Sequence, residues 1–378
     1  MVEACRTNQL DDIYEIFLKI SKIKIENITN LSDWQVSDYY EKKMLEKLDI
    51  IRLNDFVKYE YTYTLNNKLL KKLRKKLNIN EHQDLIITNN NTVSLLMIAN
   101  LIKQLNCKKV CIIKPMYFSV YEDLKLLNVP YECKSIKFKK NKFILPDIDE
   151  LKQFDYIWLT SPVFSSSVYY SIDNIAILKT LKQHGKIIIV DEAYSYLTKN
   201  LSSNNFFADI TVLSPNKVLN INALKFSVII FNKQFKSIFE HWSDVIQGNL
   251  SISNVESINH FLSANYQQCL EFNEKFITNA LKEVKNLLIQ YPCFKLFKPS
   301  HGNMIMIYNP QIDFDIYMKE NFFQELMIST NAYILPGVFH DYTDSNGFCF
   351  RINLCLYNKK DFIVKLHSVL QYLSKNYM

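Results

Sequence analysis

The stretch at residues 187–194 reads Ile-Ile-Ile-Val-Asp-Glu-Ala-Tyr, an apolar run that ends in acidic and aromatic side chains. Such a run predicts a buried β-strand with Asp191 at its C-terminal tip and Tyr194 three residues further on. A second short apolar run, Ile210 to Leu213, leads through Ser-Pro-Asn to Lys217. Ligands of α/β sheets bind at the C-terminal ends of the strands. We therefore expect Asp191, Tyr194 and Lys217 to share a site.

Strands and helices alternate on both sides of these stretches. The alternation extends from residue 85 to residue 231 and predicts an α/β fold with a mostly parallel sheet covered on both faces. After Lys233 the pattern changes to long helical segments, including one from Glu256 to Tyr291, with few strands. We expect an N-terminal arm and part of a small domain at residues 1–45, a large α/β domain at 46–240 and a smaller C-terminal α+β domain at 241–378.

The composition narrows the class of protein. The 378 residues are 48% apolar, which is enough for a sizeable core, and the net charge is only +7. A lysine-rich run at residues 71–77 keeps leucines at helical spacing, so we expect a solvated helix face there and no nucleic acid. Residues 1–10 are polar where a signal peptide needs an apolar stretch, and no run reaches transmembrane length, so we expect a cytoplasmic protein without a membrane partner. Cys-x-x-Cys is absent and the histidines are dispersed, so no metal site is predicted.

The order strand-Asp-x-x-Tyr, then strand-Ser-x-x-Lys, resembles the pyridoxal-phosphate (PLP) enzymes of fold type I. It is most similar to the class I/II aminotransferases, such as the histidinol-phosphate and aspartate aminotransferases. The resemblance implies their aspartate aminotransferase-like, PLP-dependent transferase fold. It also implies that Lys217 holds PLP as an internal aldimine, that Asp191 keeps the pyridine nitrogen protonated, and that Tyr194 points toward the phenolic oxygen. A buried carboxylate suits this role because PLP is an electron sink only while its ring nitrogen is protonated.

The same resemblance implies further cofactor contacts. Residues 88–92 join a strand to a helix, and a helix N-terminus attracts phosphate through its N–H groups and its dipole. The implied contacts are Asn91, Thr92, Ser214 and Lys225 at the phosphate, Tyr117 stacked on the ring, Ala193 on the opposite ring face, and Tyr61 or Tyr63 reaching the phosphate of a neighbouring subunit. The last contact implies a homodimer with shared active sites. Taken from the sequence alone, Asn91 or Thr92 also fits a helix N-cap.

The substrate end of the resemblance lies near the C-terminus. Residues 335–339 and 350–353 resemble the class I pattern in which Arg351 grips the substrate α-carboxylate. An arginine between strand residues needs a partner for its charge, and a carboxylate supplies paired hydrogen bonds. Residues 30–34 resemble the N-terminal Asn-x-x-x-Tyr segment of histidinol-phosphate aminotransferase and add Trp34 as a substrate contact.

Two positions depart from the family pattern. Residues 160–164 align with an Asn-Pro-x-Asn-Pro segment, and Phe164 stands where an asparagine normally bonds the phenolic oxygen. That departure leaves Tyr194 as the remaining donor. Lys225 stands where many relatives carry an arginine, and lysine keeps the charge but lacks the two-pronged geometry.

The hypothesis is therefore a PLP-dependent aminotransferase that passes an amino group from an amino acid to a 2-oxo acid. Two alternatives stay open. One is a decarboxylase or lyase of the same fold, in which a different bond of the substrate breaks. The other is a fold-type I relative with reduced catalysis that serves as a binding module. The two departures and only five glycines favour the module, whereas the retained lysine, aspartate, tyrosine and arginine favour an enzyme.

Overall fold

The computed structural model describes most of the chain. The described residues are 28–33, 35–48, 62–139, 142–194, 207–221, 223–248, 250–298, 302–343, 347–358 and 360–378, with the side chains of 62–67 and 360 excluded. Among them, no helix combines the length and apolar character needed to cross a membrane.

The strands of the described segments fall into a large sheet, a smaller sheet and two short pairs. They are β1 (Thr29–Asn30), β2 (Gln83–Thr88), β3 (Val110–Lys114), β4 (Tyr131–Ser135), β5 (Lys137–Lys139), β6 (Lys142–Ile144), β7 (Tyr156–Thr160), β8 (Ile187–Glu192), β9 (Ile210–Leu213), β10 (Ser227–Asn232), β11 (Lys295–Leu296), β12 (Met304–Asn309), β13 (Ala332–Tyr333), β14 (Leu335–Pro336) and β15 (Phe348–Asn353).

The α-helices of the described segments separate most of these strands. They are α1 (Asp38–Leu45), α2 (Thr62–Lys76), α3 (Asn91–Gln104), α4 (Phe118–Leu126), α5 (Ile148–Leu151), α6 (Ile172–Gln183), α7 (Pro215–Val218), α8 (Lys236–Ile246), α9 (Ile252–His260), α10 (Tyr266–Leu288), α11 (Phe322–Thr330) and α12 (Lys360–Tyr377).

The large sheet has seven strands in the order β2-β10-β9-β8-β7-β3-β4. Strands β4, β3, β7, β8 and β9 are parallel neighbours, and β10 is antiparallel to both β9 and β2. Strands β7 and β9 are buried along their whole length, as expected when helices cover both faces of a sheet. The predicted α/β fold with a mostly parallel sheet is confirmed. Its parallel strands bring their C-terminal ends to one edge, where the site forms.

The smaller sheet is antiparallel and has the order β11-β12-β15-β14. Strand β12 pairs with β15 along its full length, which places Met306 opposite Arg351. The N-terminal segment also reaches this part of the molecule, because β1 pairs in parallel with β13, with Thr29 opposite Ala332.

The helix that the sequence predicts from Glu256 to Tyr291 is divided in the structure. A π-helical turn at Phe261–Asn265 separates α9 from α10. Buried side chains recur every four residues across this junction, at Ile258, Leu262 and Tyr266. The buried face of α9 therefore continues through the wider π turn into α10.

Candidate active site

A cavity of about 660 Å³ opens at the C-terminal edge of the large sheet, against the smaller sheet. Both sheets and the loops that follow their strands contribute to its wall. The described residues that line it are Gln35, Asn90, Asn91, Thr92, Val93, Tyr117, Phe118, Thr160, Phe164, Asp191, Ala193, Tyr194, Asn216, Lys217, Asn220, Lys225, Asn303, Met304, Leu335, Phe339 and His340. The structure thus brings together Asp191, Tyr194 and Lys217, as the strand ends predict.

Lys217 enters the cavity from the short helix α7, which follows β9 and begins at Pro215. Its Nζ lies 5.5 Å from the ring centroid of Tyr117 and 5.1 Å from that of Tyr194. Burial lowers the pKa of the Lys217 ammonium, and the negative charge of Asp191 acts in the opposite direction. A lowered pKa increases the fraction of neutral amine, which is the nucleophilic form.

Asp191 occupies the tip of β8, between Thr160 of β7 and Val212 of β9. Its carboxylate is only 2% exposed and accepts a hydrogen bond from the Ala193 N–H at 2.9 Å. Burial raises the pKa of Asp191, opposed first by the charge of Lys217 and then by the hydrogen bonds. The ionised form therefore gains from any further cation placed in the cavity.

Two phenols flank the lysine. Burial raises the pKa of Tyr194, with the positive charge of Arg351 opposing it. Burial also raises the pKa of Tyr117, and the neighbouring Asp191 adds to the effect. Both phenols therefore keep their protons at neutral pH and can donate hydrogen bonds.

The N-terminus of α3 forms another part of the wall. Asn90 is the N-cap, because its Oδ1 accepts from the Val93 N–H at 3.0 Å. The capping role that the sequence also allowed for Asn91 or Thr92 is therefore wrong. The first N–H groups of a helix have no partner within it, so those of Asn91 and Thr92 face the cavity end of the helix. Lys225 is exposed and lines the same cavity.

Two predicted contacts lie behind the lining. The Ser214 hydroxyl donates to Asn91 Oδ1 at 3.0 Å and lies 2.7 Å from the Ser227 hydroxyl, so it supports Asn91. Arg351 is 0% exposed, and its Nη2 donates to the backbone carbonyl of Ser32. Burial lowers the pKa of Arg351 to about 10, so the guanidinium stays charged at neutral pH.

The sequence did not reveal several residues of the wall. Asn220 has a positive φ of 54° and donates to Asn273 Oδ1 at 2.9 Å, while its own Oδ1 accepts from Asn303 at 3.1 Å. Phe339 and His340 come from a 3₁₀ turn after β14. An asparagine three residues after Lys217 was the one available signal, since asparagine tolerates positive φ.

Three predicted residues cannot be placed in the site. Trp34 and Tyr61 lie outside the described residues, as does the side chain of Tyr63. Within the described part of the chain, no group of three or more His, Cys, Asp or Glu side chains is arranged to hold a metal ion.

No family model matches the chain. In sequence, the chain is similar to the histidinol-phosphate aminotransferase of Flavobacterium psychrophilum, with 26% identity over 242 residues, which are 62% of this chain and 67% of that protein. In structure, it is similar to the multiple substrate aminotransferase of Thermococcus profundus, with a TM-score of 0.74 and 14% identity over 96% of this chain and 95% of that one. It is also similar to the PLP-bound C-S lyase of Staphylococcus hominis, with a TM-score of 0.68 and 14% identity over 93% and 95% of the two chains. The chain therefore has the fold of these enzymes, as the sequence predicts.

Proposed function

We propose that the chain is a PLP-dependent aminotransferase, which transfers the amino group of an amino acid to a 2-oxo acid. The observation that carries the proposal is that Lys217 and Asp191 line one cavity at the C-terminal edge of the large sheet, with Lys217 Nζ over the rings of Tyr117 and Tyr194. The similarity in sequence to an aminotransferase and in fold to several supports the same reaction class.

The residues at the cavity fit PLP. A phosphate would be held by the N–H groups at the start of α3 and by Lys225, and the ring would lie beside Tyr117 and Ala193. Asp191 provides the test of this fit. Its pKa is raised because burial is only partly offset by its neighbours, and a protonated pyridine nitrogen is a cation that would complete the balance.

Bound PLP supplies a carbonyl that condenses with amines and an electron sink for the substrate α-carbon. Lys217 is the amine of the protein, and its lowered pKa also suits it as a general base. With PLP bound, the Lys217 Nζ would take the α-proton of the amino acid as general base and return it as general acid. Asp191 would hold the proton on the ring nitrogen, and Tyr194 would donate its hydroxyl hydrogen at the phenolic oxygen. Arg351, beneath the lining, is the proposed partner of the substrate α-carboxylate, with Trp34 as a further substrate contact.

Borohydride reduction of the protein with bound PLP tests this proposal. Reduction fixes an imine as a stable amine, so peptide mapping should find the pyridoxyl group on Lys217. The matched control is Lys225→Arg, which removes the other lysine of the described lining but keeps its positive charge for the phosphate, and which should still be labelled at Lys217. A label on another lysine, or no label, contradicts the proposal.

The lyase reaction is the second candidate, because the fold is also that of a C-S lyase. Incubation with amino acids separates the candidates. An aminotransferase accumulates the aminated cofactor in the absence of a 2-oxo acid, whereas a lyase or decarboxylase releases a thiol or CO₂ and leaves the cofactor as the aldehyde. A protein that is labelled at Lys217 but converts no amino acid would instead be the binding module.

We further propose a cytoplasmic homodimer with shared active sites. The resemblance of Tyr61 or Tyr63 to a tyrosine that reaches the neighbouring subunit supports it. Sedimentation velocity should give twice the chain mass of 44.7 kDa. An active monomer would contradict the shared site.

A further inference from the structure

Aromatic rings form a continuous wall on one side of the cavity. The ring centroids of Phe118 and Tyr117 are 4.5 Å apart, those of Tyr117 and Phe164 are 6.0 Å apart, and those of Phe164 and His340 are 5.8 Å apart. We call these four residues the aromatic wall. It begins beside the reacting amine, because Tyr117 lies 5.5 Å from Lys217 Nζ, and it ends on the turn after β14.

The far end of the aromatic wall is uncharged. His340 is 3% exposed, and its Nδ1 lies 3.2 Å from the Ser165 hydroxyl. Burial and the nearby positive charge of Arg351 lower the pKa of His340 well below its usual value, so the imidazole is neutral. Apolar side chains continue the lining beyond it, at Met304, Leu335 and Phe339.

Acidic side chains, lysines and arginines are few in the described lining of the cavity. They are Asp191, Lys217 and Lys225. The proposed function uses all three at the cofactor, and Arg351 for the α-carboxylate. A second carboxylate or a phosphate on the substrate side chain would then meet no further cationic side chain of the described lining, and an unpaired charge is unfavourable against apolar side chains.

We propose that the amino donor carries a large uncharged side chain, aromatic or aliphatic, which packs on the aromatic wall, and that Phe164 is a specificity-determining residue. This inference rests on the proposed function for the identity of the reaction. The proposed substrate class differs from that of the relative in sequence, whose name specifies a phosphate ester as substrate. Phe164 contacts both Tyr117 and His340, so its replacement interrupts the wall at its centre.

Equilibrium binding tests the inference without catalysis. The probes are 3-phenylpropanoate, which has one carboxylate and a phenyl ring, and glutarate, which has a second carboxylate instead. Titration calorimetry on the purified protein with added PLP should show that 3-phenylpropanoate binds at least about 10-fold more tightly than glutarate. The reason is that glutarate brings an unpaired charge into the cavity and lacks the ring contacts. Equal or tighter binding of glutarate overturns the inference.

Two matched leucine variants test whether Phe164 contributes to the binding of 3-phenylpropanoate. Phe164→Leu should weaken 3-phenylpropanoate binding by about 3- to 10-fold, the usual worth of an aromatic contact. Phe138→Leu makes the same change at a half-buried ring of β5, outside the cavity, and should leave binding unchanged. Equal effects of the two variants would overturn the role of Phe164. If Phe164→Leu fails to fold, Phe164→Met serves in its place, and the wild-type probes still decide the side-chain class.

Amino-acid turnover separates failure of this inference from failure of the proposed function. Conversion of aspartate faster than phenylalanine or leucine would leave an aminotransferase but overturn the inference. Absence of the Lys217 adduct, together with a preference for 3-phenylpropanoate, would overturn the proposed function and support the cavity's selectivity.

Discussion

Two of the buried aspartates in the described segments, Asp191 and Asp341, differ in how each is placed relative to a lysine. Asp191 is 2% exposed and Asp341 is 5% exposed. Lys114 Nζ lies 2.8 Å from Asp341 Oδ1. Lys217, in contrast, forms no salt bridge with any carboxylate in the described part of the chain, and its Nζ lies over two tyrosine rings.

The Asp341 carboxylate is bound entirely by groups of the protein itself. Asp341 Oδ2 accepts from the Met116 N–H at 3.2 Å and from the Tyr121 hydroxyl. Lys114 ends β3, Met116 lies between β3 and α4, and Tyr121 is in α4, whereas Asp341 follows β14. Burial raises the pKa of Asp341, and Lys114 is the main influence that opposes it. The cluster therefore fastens the turn after β14 to the large sheet.

The difference supports the proposed role of Asp191 and Lys217 in the cavity and a structural role for the Asp341–Lys114 ion pair. The Asp341 carboxylate is paired with Lys114 and accepts two further hydrogen bonds, so its negative charge is already balanced within the protein. Asp191 accepts the Ala193 N–H and forms no salt bridge with Lys217 in the described part of the chain, although both residues line the same cavity. A perturbed acid and base that face a cavity without pairing are typical of a catalytic site.

The largest expected effect is on turnover. Asp191→Asn cannot hold a proton on the cofactor by charge, so kcat should fall by roughly 10³-fold, the scale of losing a major electrostatic contact in a reaction centre. Asp341→Asn is the matched control and should keep kcat within about 10-fold. Steady-state assays with a saturating amino donor measure both. Near-normal turnover in Asp191→Asn would remove the functional distinction between the pairs.

The next effect is on stability. Lys114→Met leaves the buried Asp341 carboxylate without its cation and should lower the free energy of unfolding by about 3 kcal/mol at pH 7. Lys217→Met, where no ion pair is broken, should cost less than about 1 kcal/mol. Urea denaturation measures both variants. Equal losses would show that the two pairs are energetically alike.

The Lys114→Met loss should depend on pH. The folded-state pKa of Asp341 lies above its usual value of 3.8, so the folded state binds this proton more tightly than the unfolded state does. The resulting stability is fully present below pH 3.8 and is lost as the pH rises through the folded-state pKa. Lys114→Met removes the main influence that lowers this pKa, so the decline should extend to higher pH than in the wild type. Urea denaturation between about pH 4 and pH 8 measures the difference, and parallel curves would contradict it.

A smaller effect concerns the substrate end. Arg351→Lys should reduce kcat/KM roughly 30- to 150-fold, which corresponds to a loss of about 2–3 kcal/mol of transition-state stabilisation. The reason is that one ammonium cannot reproduce paired hydrogen bonds to a carboxylate. Amines without a carboxylate should be poor donors for the wild type and should lose little in the variant. If simple amines react as fast as amino acids in the wild type, Arg351 has another role.

The smallest effect is a shift in the titration of Lys217. Its pKa is lowered by burial and raised by Asp191, so Asp191→Asn should lower it further. The pH dependence of imine formation between the apoprotein and pyridoxal reports this pKa. Asp341→Asn should leave the profile unchanged, and an upward shift in Asp191→Asn would contradict the coupling.

The fold and the centre of the site were predictable because both depend on local pattern. Apolar strands such as β8 and β9 are visible in the sequence, and Asp191 and Lys217 follow them directly. The part of the cavity lining formed by Phe339 and His340 was not predictable, because these residues reach the cavity only when the smaller sheet packs against the larger one. Ser214 follows its strand as predicted but turns its hydroxyl to Asn91, since a strand end fixes a residue's position and not the direction of its side chain.

The asparagine contacts behind Lys217 have a consequence for how the protein folds. Asn220 bonds to Tyr40, 180 residues earlier in the chain, to Asn273, 53 residues later, and to Asn303, 83 residues later. Contacts of such sequence separation close large loops, and their entropic cost delays them until local elements have formed. The segment after α7, which contains Asn220, thus reaches its native geometry only after distant parts of the chain have assembled around it. A chain interrupted before residue 303 would contain all seven strands of the large sheet and still lack the Asn303 contact behind Lys217.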